Sequence, residues 1–104
     1  MSEYYDRKGN PMTSTQWANS FTEKRDKRVA KDTVNGHDIS TVWLGLNHQW
    51  GDGPPLIFET MVFGGPLDQE TRRYSTEEEA LEGHAAMVER VKKADTAWLA
   101  GEEL

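Results

Sequence analysis

The run Leu56-Ile57-Phe58-Glu59-Thr60-Met61-Val62-Phe63 constrains this chain more than any other stretch. It is bounded by Pro54-Pro55 on one side and Gly64-Gly65-Pro66 on the other. Its length and its aromatic and β-branched content mark a buried central strand. Both of its faces are largely apolar, yet Glu59 sits in the middle. An ionised carboxylate in such a place must be paired, hydrogen-bonded or protonated.

The segments around it supply the rest of a sheet. Asn35-Gly36 lies between Arg28–Val34 and Ile39–Leu46, two β-prone runs. Asn-Gly tolerates positive φ at both central turn positions, so it predicts a two-residue hairpin loop, with Val29 facing Val42. Glu70–Tyr74 reads as a fourth, edge strand. Before the sheet, Tyr4–Pro11 reads as an extended piece and a turn. Thr13 and Gln16 then form a capping box that starts a short helix ending near Lys24–Asp26, with Met12 stapled against Trp17. After the sheet, Ser75 or Thr76 caps a long helix. Glu77, Glu78 and Glu79 crowd its positive end, and Ala80, Leu81, His84, Met87, Val88, Val91 and Trp98 form its apolar stripe. The expected class is α+β: a three- to four-stranded antiparallel meander with a short N-terminal helix and a long C-terminal helix packed on it. Residues 1–104 form a single domain, with about 1–10 and 100–104 partly flexible.

Charge and composition narrow the function classes. The chain has 104 residues, no cysteine and a net charge of −6. Without cysteine there are no disulfides, thiolate metal sites or cysteine nucleophiles, which fits a reducing cytoplasm. No apolar run is long enough to span a membrane, and the start lacks the apolar core of a signal peptide. No Lys or Arg occurs from Asp32 through Thr71, so the central surface should repel phosphate and argues against nucleic acid. The cluster Lys24-Arg25-Asp26-Lys27-Arg28 is the exception. It reads as a solvated helix end before it reads as a phosphate grip.

Three readings of Glu59 compete. It is a structural carboxylate that meets Arg72, Arg73 or an indole N–H; a ligand-facing carboxylate in a pocket on an open sheet face; or a metal ligand or general base. The metal reading needs His48 and His84, whose neutral imidazoles with Glu59 suit zinc or another divalent ion. No two of these share ligand spacing along one element. His84 on an apolar stripe reads first as a satisfied core residue, and His37 at the hairpin turn as exposed. There is no nucleophile elbow, and Gly51-Asp52-Gly53 lacks the Lys and following helix of a phosphate loop. The loop Asn47–Pro55 is the best recognition candidate, with His48, Trp50 and Asp52 on stiffened backbone. Trp50 reads equally well as a lid on the core.

The runs Ser40–His48, Gly53–Phe63 and Arg73–Ala80 with Gly83-His84 resemble a family of small uncharacterised proteins encoded by tailed bacteriophages and prophages, especially of actinobacteria. Those proteins typically read STVWLGLDH, PPLIFETMVF and RYxTxEEAxxGH. The resemblance extends from the Tyr-Tyr-Asp start to His84. It implies a phage source and brings no activity. The family's Asp before the loop histidine is Asn47 here, and its Phe is Trp50. Asn47 cannot act as a general base or charged ligand.

The expectation is therefore a non-enzymatic phage accessory protein in the cytoplasm of the infected host, binding a host protein or a small ligand through Trp43, His48, Trp50, Asp52 and Glu59. No cofactor is required on this reading. A small metal-dependent hydrolase using His48, Glu59 and His84 is one alternative, with zinc as its metal. A phage structural or assembly component is another. Two helices of this size can cover one sheet face; the second needs the first helix folded across it, a bound ligand or a partner, and a homodimer or other partner is the favoured expectation.

Overall fold

The computed structural model describes residues 3–22, 27–48 and 53–99. Within them, six strands and two helices follow in the order β1 (Tyr4–Tyr5), β2 (Pro11–Met12), α1 (Ser14–Thr22), β3 (Arg28–Val34), β4 (His37–Trp43), β5 (Phe58–Phe63), β6 (Thr71–Tyr74) and α2 (Glu77–Leu99). Strands β3-β4-β5-β6 form an antiparallel meander, and α2 packs across all four. The α+β meander with a short first helix and a long last one is the architecture expected from the sequence.

Local chemistry places each element. Asn35 and Gly36 have φ of 50° and 82°, the left-handed pair that joins β3 to β4 in register. The expected pairing of Val29 with Val42 is corrected: Arg28 stands opposite Val42, and a bulge between Arg28 and Ala30 takes up Val29. The extra residue turns Val29 toward the cluster around Trp43. The capping box of α1 forms in both directions, with Gln16 N donating to Thr13 Oγ1 (3.1 Å) and Thr13 N to Gln16 Oε1 (2.9 Å). Thr76 and Glu79 repeat it at the start of α2. Each box contributes about 1 kcal/mol. The first segment, expected as an extended piece and a turn, has both, and beyond the turn Pro11–Met12 pairs back on Tyr4–Tyr5 as the β1–β2 hairpin. Asp6 makes that turn, accepting from Lys8 N at 2.9 Å and Asn10 N at 2.8 Å.

The buried edge of α2 runs Ala80, His84, Met87, Val91, Asp95. That is helical spacing, and Leu81, expected in the stripe, sits one position off it and is exposed. The side chain of Trp98 and residues 100–104 lie outside the described residues. Two apolar clusters form beneath the helix. Ile39, Val62, Met87 and Val91 make one; Trp43, Ile57, Phe58 and Ala80 make the other. Burying each large side chain contributes about 1.5–3 kcal/mol. A polar strip, Thr41–Thr60–His84, runs between them.

The opposite sheet face is less apolar than expected. Alternation turns Phe58, Thr60 and Val62 toward α2 and leaves Glu59, Met61 and Phe63 outward. Their neighbours there are Asp38, Ser40, Val42, Thr71 and Arg73, by register. Among the described residues, only Phe63 is a large exposed apolar side chain on this face. The need for a covering partner is correspondingly smaller.

Candidate functional site

Glu59 resolves to the plainest of its three readings. Its Oε2 accepts from Arg73 Nε at 3.0 Å across the β5–β6 ladder, and its side chain is 16% exposed. The expected neighbourhood of the carboxylate is Trp43–Gly45; it lies one residue away, opposite Val42. Register pairing puts the two charges directly opposite on one face, where such a pair locks strand alignment.

His84 lies on the other side of the sheet. Its Nε2 is 2.7 Å from Asp32 Oδ2, and its Nδ1 is 2.7 Å from Thr41 Oγ1. Thr41 in turn bonds Thr60. In the neutral ring one nitrogen donates and the other accepts. Asp32 can only accept, so Nε2–H points to it and Nδ1 accepts from the Thr41 hydroxyl. Thr60 O–H then donates to Thr41 Oγ1, and the chain runs in one direction with every member satisfied. Carboxylate, imidazole and hydroxyl are the residue types of a nucleophilic triad. Here the hydroxyl is completely buried beneath α2, and no substrate can reach it. The chain is a polar spine between two apolar clusters.

The metal trio therefore does not assemble. Glu59 and His84 occupy opposite faces of one sheet. His48 follows the strand end, with its backbone N donating to Leu56 O at 3.0 Å. Among the described residues no group of three His, Asp or Glu side chains could hold a metal ion. His37, expected to be exposed, is half-buried and pairs with Asp95 Oδ1 at 3.0 Å. Asn35 Nδ2 reaches the other oxygen of Asp95 at 3.1 Å. This ties the far part of α2 to the β3–β4 turn. Trp50 and Asp52 lie outside the described residues. Asn47 serves the backbone: its Oδ1 accepts from Leu56 N at 3.0 Å and closes the base of the loop. An Asp in that position can accept the same bond.

Trp43, expected among the residues that contact a ligand or partner, is 5% exposed on the helix side. Its indole Nε1 donates to Tyr5 O at 3.1 Å. Yet Trp43 also lines a cleft of about 450 Å³, within the usual range of small-molecule sites. Its walls are the β1–β2 hairpin, through Asp6, Arg7, Lys8 and Asn10, together with Met12. Ser20 of α1 and Lys27, at the entry to β3, complete it. Each wall is held. Trp17 Nε1 of α1 donates to Leu44 O at 3.0 Å, Tyr5 N bonds Gly45 O at 2.8 Å, and Arg7 bridges to Glu77 at 2.8 Å. The residues meet from four separate chain segments, and only Trp43 and the basic cluster containing Lys27 stand out in the sequence.

Comparison with protein-family models, curated proteins and solved structures returns no match to this chain. No described helix is long and apolar enough to cross a membrane.

Proposed function

We propose that this chain is a bacteriophage accessory protein that works as a non-enzymatic binding module in the infected bacterial cytoplasm. The phage source rests on the three motif runs that resemble the tailed-phage family. The preference for binding over catalysis rests on one contrast. The triad-like spine Asp32–His84–Thr41 has its hydroxyl sealed under α2, whereas Trp43 borders a held, accessible cleft. Of the two expected partners, a small ligand fits that cleft better than a host protein does.

The test is a thermal-shift screen of small metabolites of a bacterial host. A ligand that binds the folded state raises Tm by mass action. Dose-dependent stabilisation by a small molecule supports the reading. Turnover of an ester, phosphoester or peptide substrate in the presence of zinc or manganese, abolished by Glu59→Gln, would replace it with the hydrolase alternative. Detection of the protein in purified virions would replace it with the structural one.

A further inference from the structure

We infer that Asn35 is a site of spontaneous deamidation, and that the carboxylate so formed opposes Asp95 and releases the far part of α2. The chain has four asparagines, Asn10, Asn19, Asn35 and Asn47. Deamidation starts when the backbone nitrogen of the next residue attacks the side-chain amide carbon. Pro11, after Asn10, has no N–H to lose. Ser20, after Asn19, lies inside α1, and His48, after Asn47, carries a bulky side chain. Gly36, after Asn35, has no side chain to obstruct the approach. Both residues of this turn are exposed, and a Cβ built on Gly36 would meet nothing within 4 Å.

The reaction needs only water. Gly36 N bonds to Asn35 Cγ and gives up its proton, the Cγ–Nδ2 bond breaks, and ammonia leaves behind a five-membered succinimide. Water then opens the ring at either carbonyl. One opening gives aspartate. The other gives isoaspartate, which routes the chain through the former side-chain carbon and adds a methylene to the backbone. A two-residue loop cannot take up that methylene in register. Both products place a negative charge where a neutral amide stood.

Asn35 is also a fastening. Its Nδ2 donates to Asp95 Oδ2 at 3.1 Å, and His37 Nε2 lies 3.0 Å from Oδ1 of the same carboxylate. Asp95 is 4% exposed, so water screens it poorly. Conversion takes a donor away from this buried acceptor and sets a second acid in its place. The same bond guards the amide. While Asp95 holds Nδ2, the side chain is kept from turning its carbon toward Gly36 N. The latch thus sets the pace of its own failure, and loss of ammonia makes the step one-way.

The folded full chain is kept in mildly alkaline buffer beside the same chain in urea, and conversion is located by peptide fragmentation. Asn35 should convert ahead of Asn19 and Asn47, and several-fold faster in Asp95→Ala, where the amide is free. No conversion at Asn35 in the folded chain while the urea sample converts there would overturn the site. An unchanged rate in Asp95→Ala would overturn the hold of Asp95 on the reaction. Asn35→Asp reproduces the product with the backbone intact, since Asp-Gly supports the same turn; unchanged NMR signals along β3 and β4 check the hairpin. Hydrogen exchange in the last turns of α2 should be about tenfold faster in this variant. Adding Asp95→Asn should restore slow exchange, because the new amide can donate to the new acid while its oxygen still accepts from His37. Exchange unchanged in Asn35→Asp, or not restored by the second substitution, would overturn the release.

Discussion

Glu59 and His84 stand on opposite faces of one four-stranded sheet, each answered by its own partner: Arg73 for the acid, Asp32 and Thr41 for the imidazole. Two residues that look like a split metal site in one dimension are separate structural devices in three. The pairings set different expectations for mutation.

Replacing Glu59 by Gln should cost little. Arg73 is 44% exposed, so solvent screens the pair and its worth stays below about 1 kcal/mol. Urea denaturation should show that small loss shrinking further in high salt. Adding zinc should leave Tm unchanged in wild type and variant alike. A zinc-dependent rise that Glu59→Gln removes would restore the metal reading.

The spine should be more sensitive, and unequally so along its length. Thr41→Val removes the donor to His84 Nδ1 and strands a buried acceptor, at about 1–3 kcal/mol. Thr60→Val leaves that bond in place and empties only one lone pair on Thr41, so it should cost clearly less. Denaturation of both variants and the double mutant measures the difference. Nitrogen-15 shifts of His84 should report the Nε2–H tautomer; with an Nδ1–H ring Thr41 would instead donate to Thr60, each valine variant would strand one buried donor, and the two costs would converge.

Tyr74 and Gly83 form a third test. The Tyr74 hydroxyl is buried with no partner among the described residues, and a Cβ on Gly83 would overlap its ring. Tyr74→Phe should therefore be neutral or stabilising by up to about 1 kcal/mol. Gly83→Ala should destabilise although Ala is the better helix former by about 1 kcal/mol, because the overlap forces the ring or the helix to move. A more stable Gly83→Ala protein would show that α2 yields easily at this point.

Asp95→Ala should loosen the far part of α2. It leaves His37 and the Asn35 amide without their shared acceptor, with an expected loss of about 1–3 kcal/mol. Hydrogen exchange should quicken at Asn35–His37 and in the last turns of α2 before it changes in β5.

Legibility follows sequence distance. The two capping boxes and the Asn35-Gly36 turn are written within four residues and can be read directly. The alternation of the central strand is legible too, but not which face Glu59 takes. That choice depends on register with β4 and β6, and on where α2 settles. The bulge at Val29 escapes because nothing local marks it. The cleft escapes almost wholly. Lys8, Met12, Ser20, Lys27 and Trp43 share no motif, and only the hairpin's return to the sheet brings them together. His84 reads as a satisfied core residue, yet Asp32, its partner 52 positions away, carries no sign of the pairing.

The bridge from Arg7 to Glu77 spans 70 positions, and it clamps the hairpin wall of the cleft to the first turn of α2. During synthesis the opening hairpin must wait for the third quarter of the polypeptide to leave the ribosome before that clamp can shut. The hairpin wall is therefore fastened to the helix late, and a fragment ending inside the meander beyond β4 would keep the Trp17–Leu44 and Tyr5–Gly45 bonds but lack the Arg7 clamp.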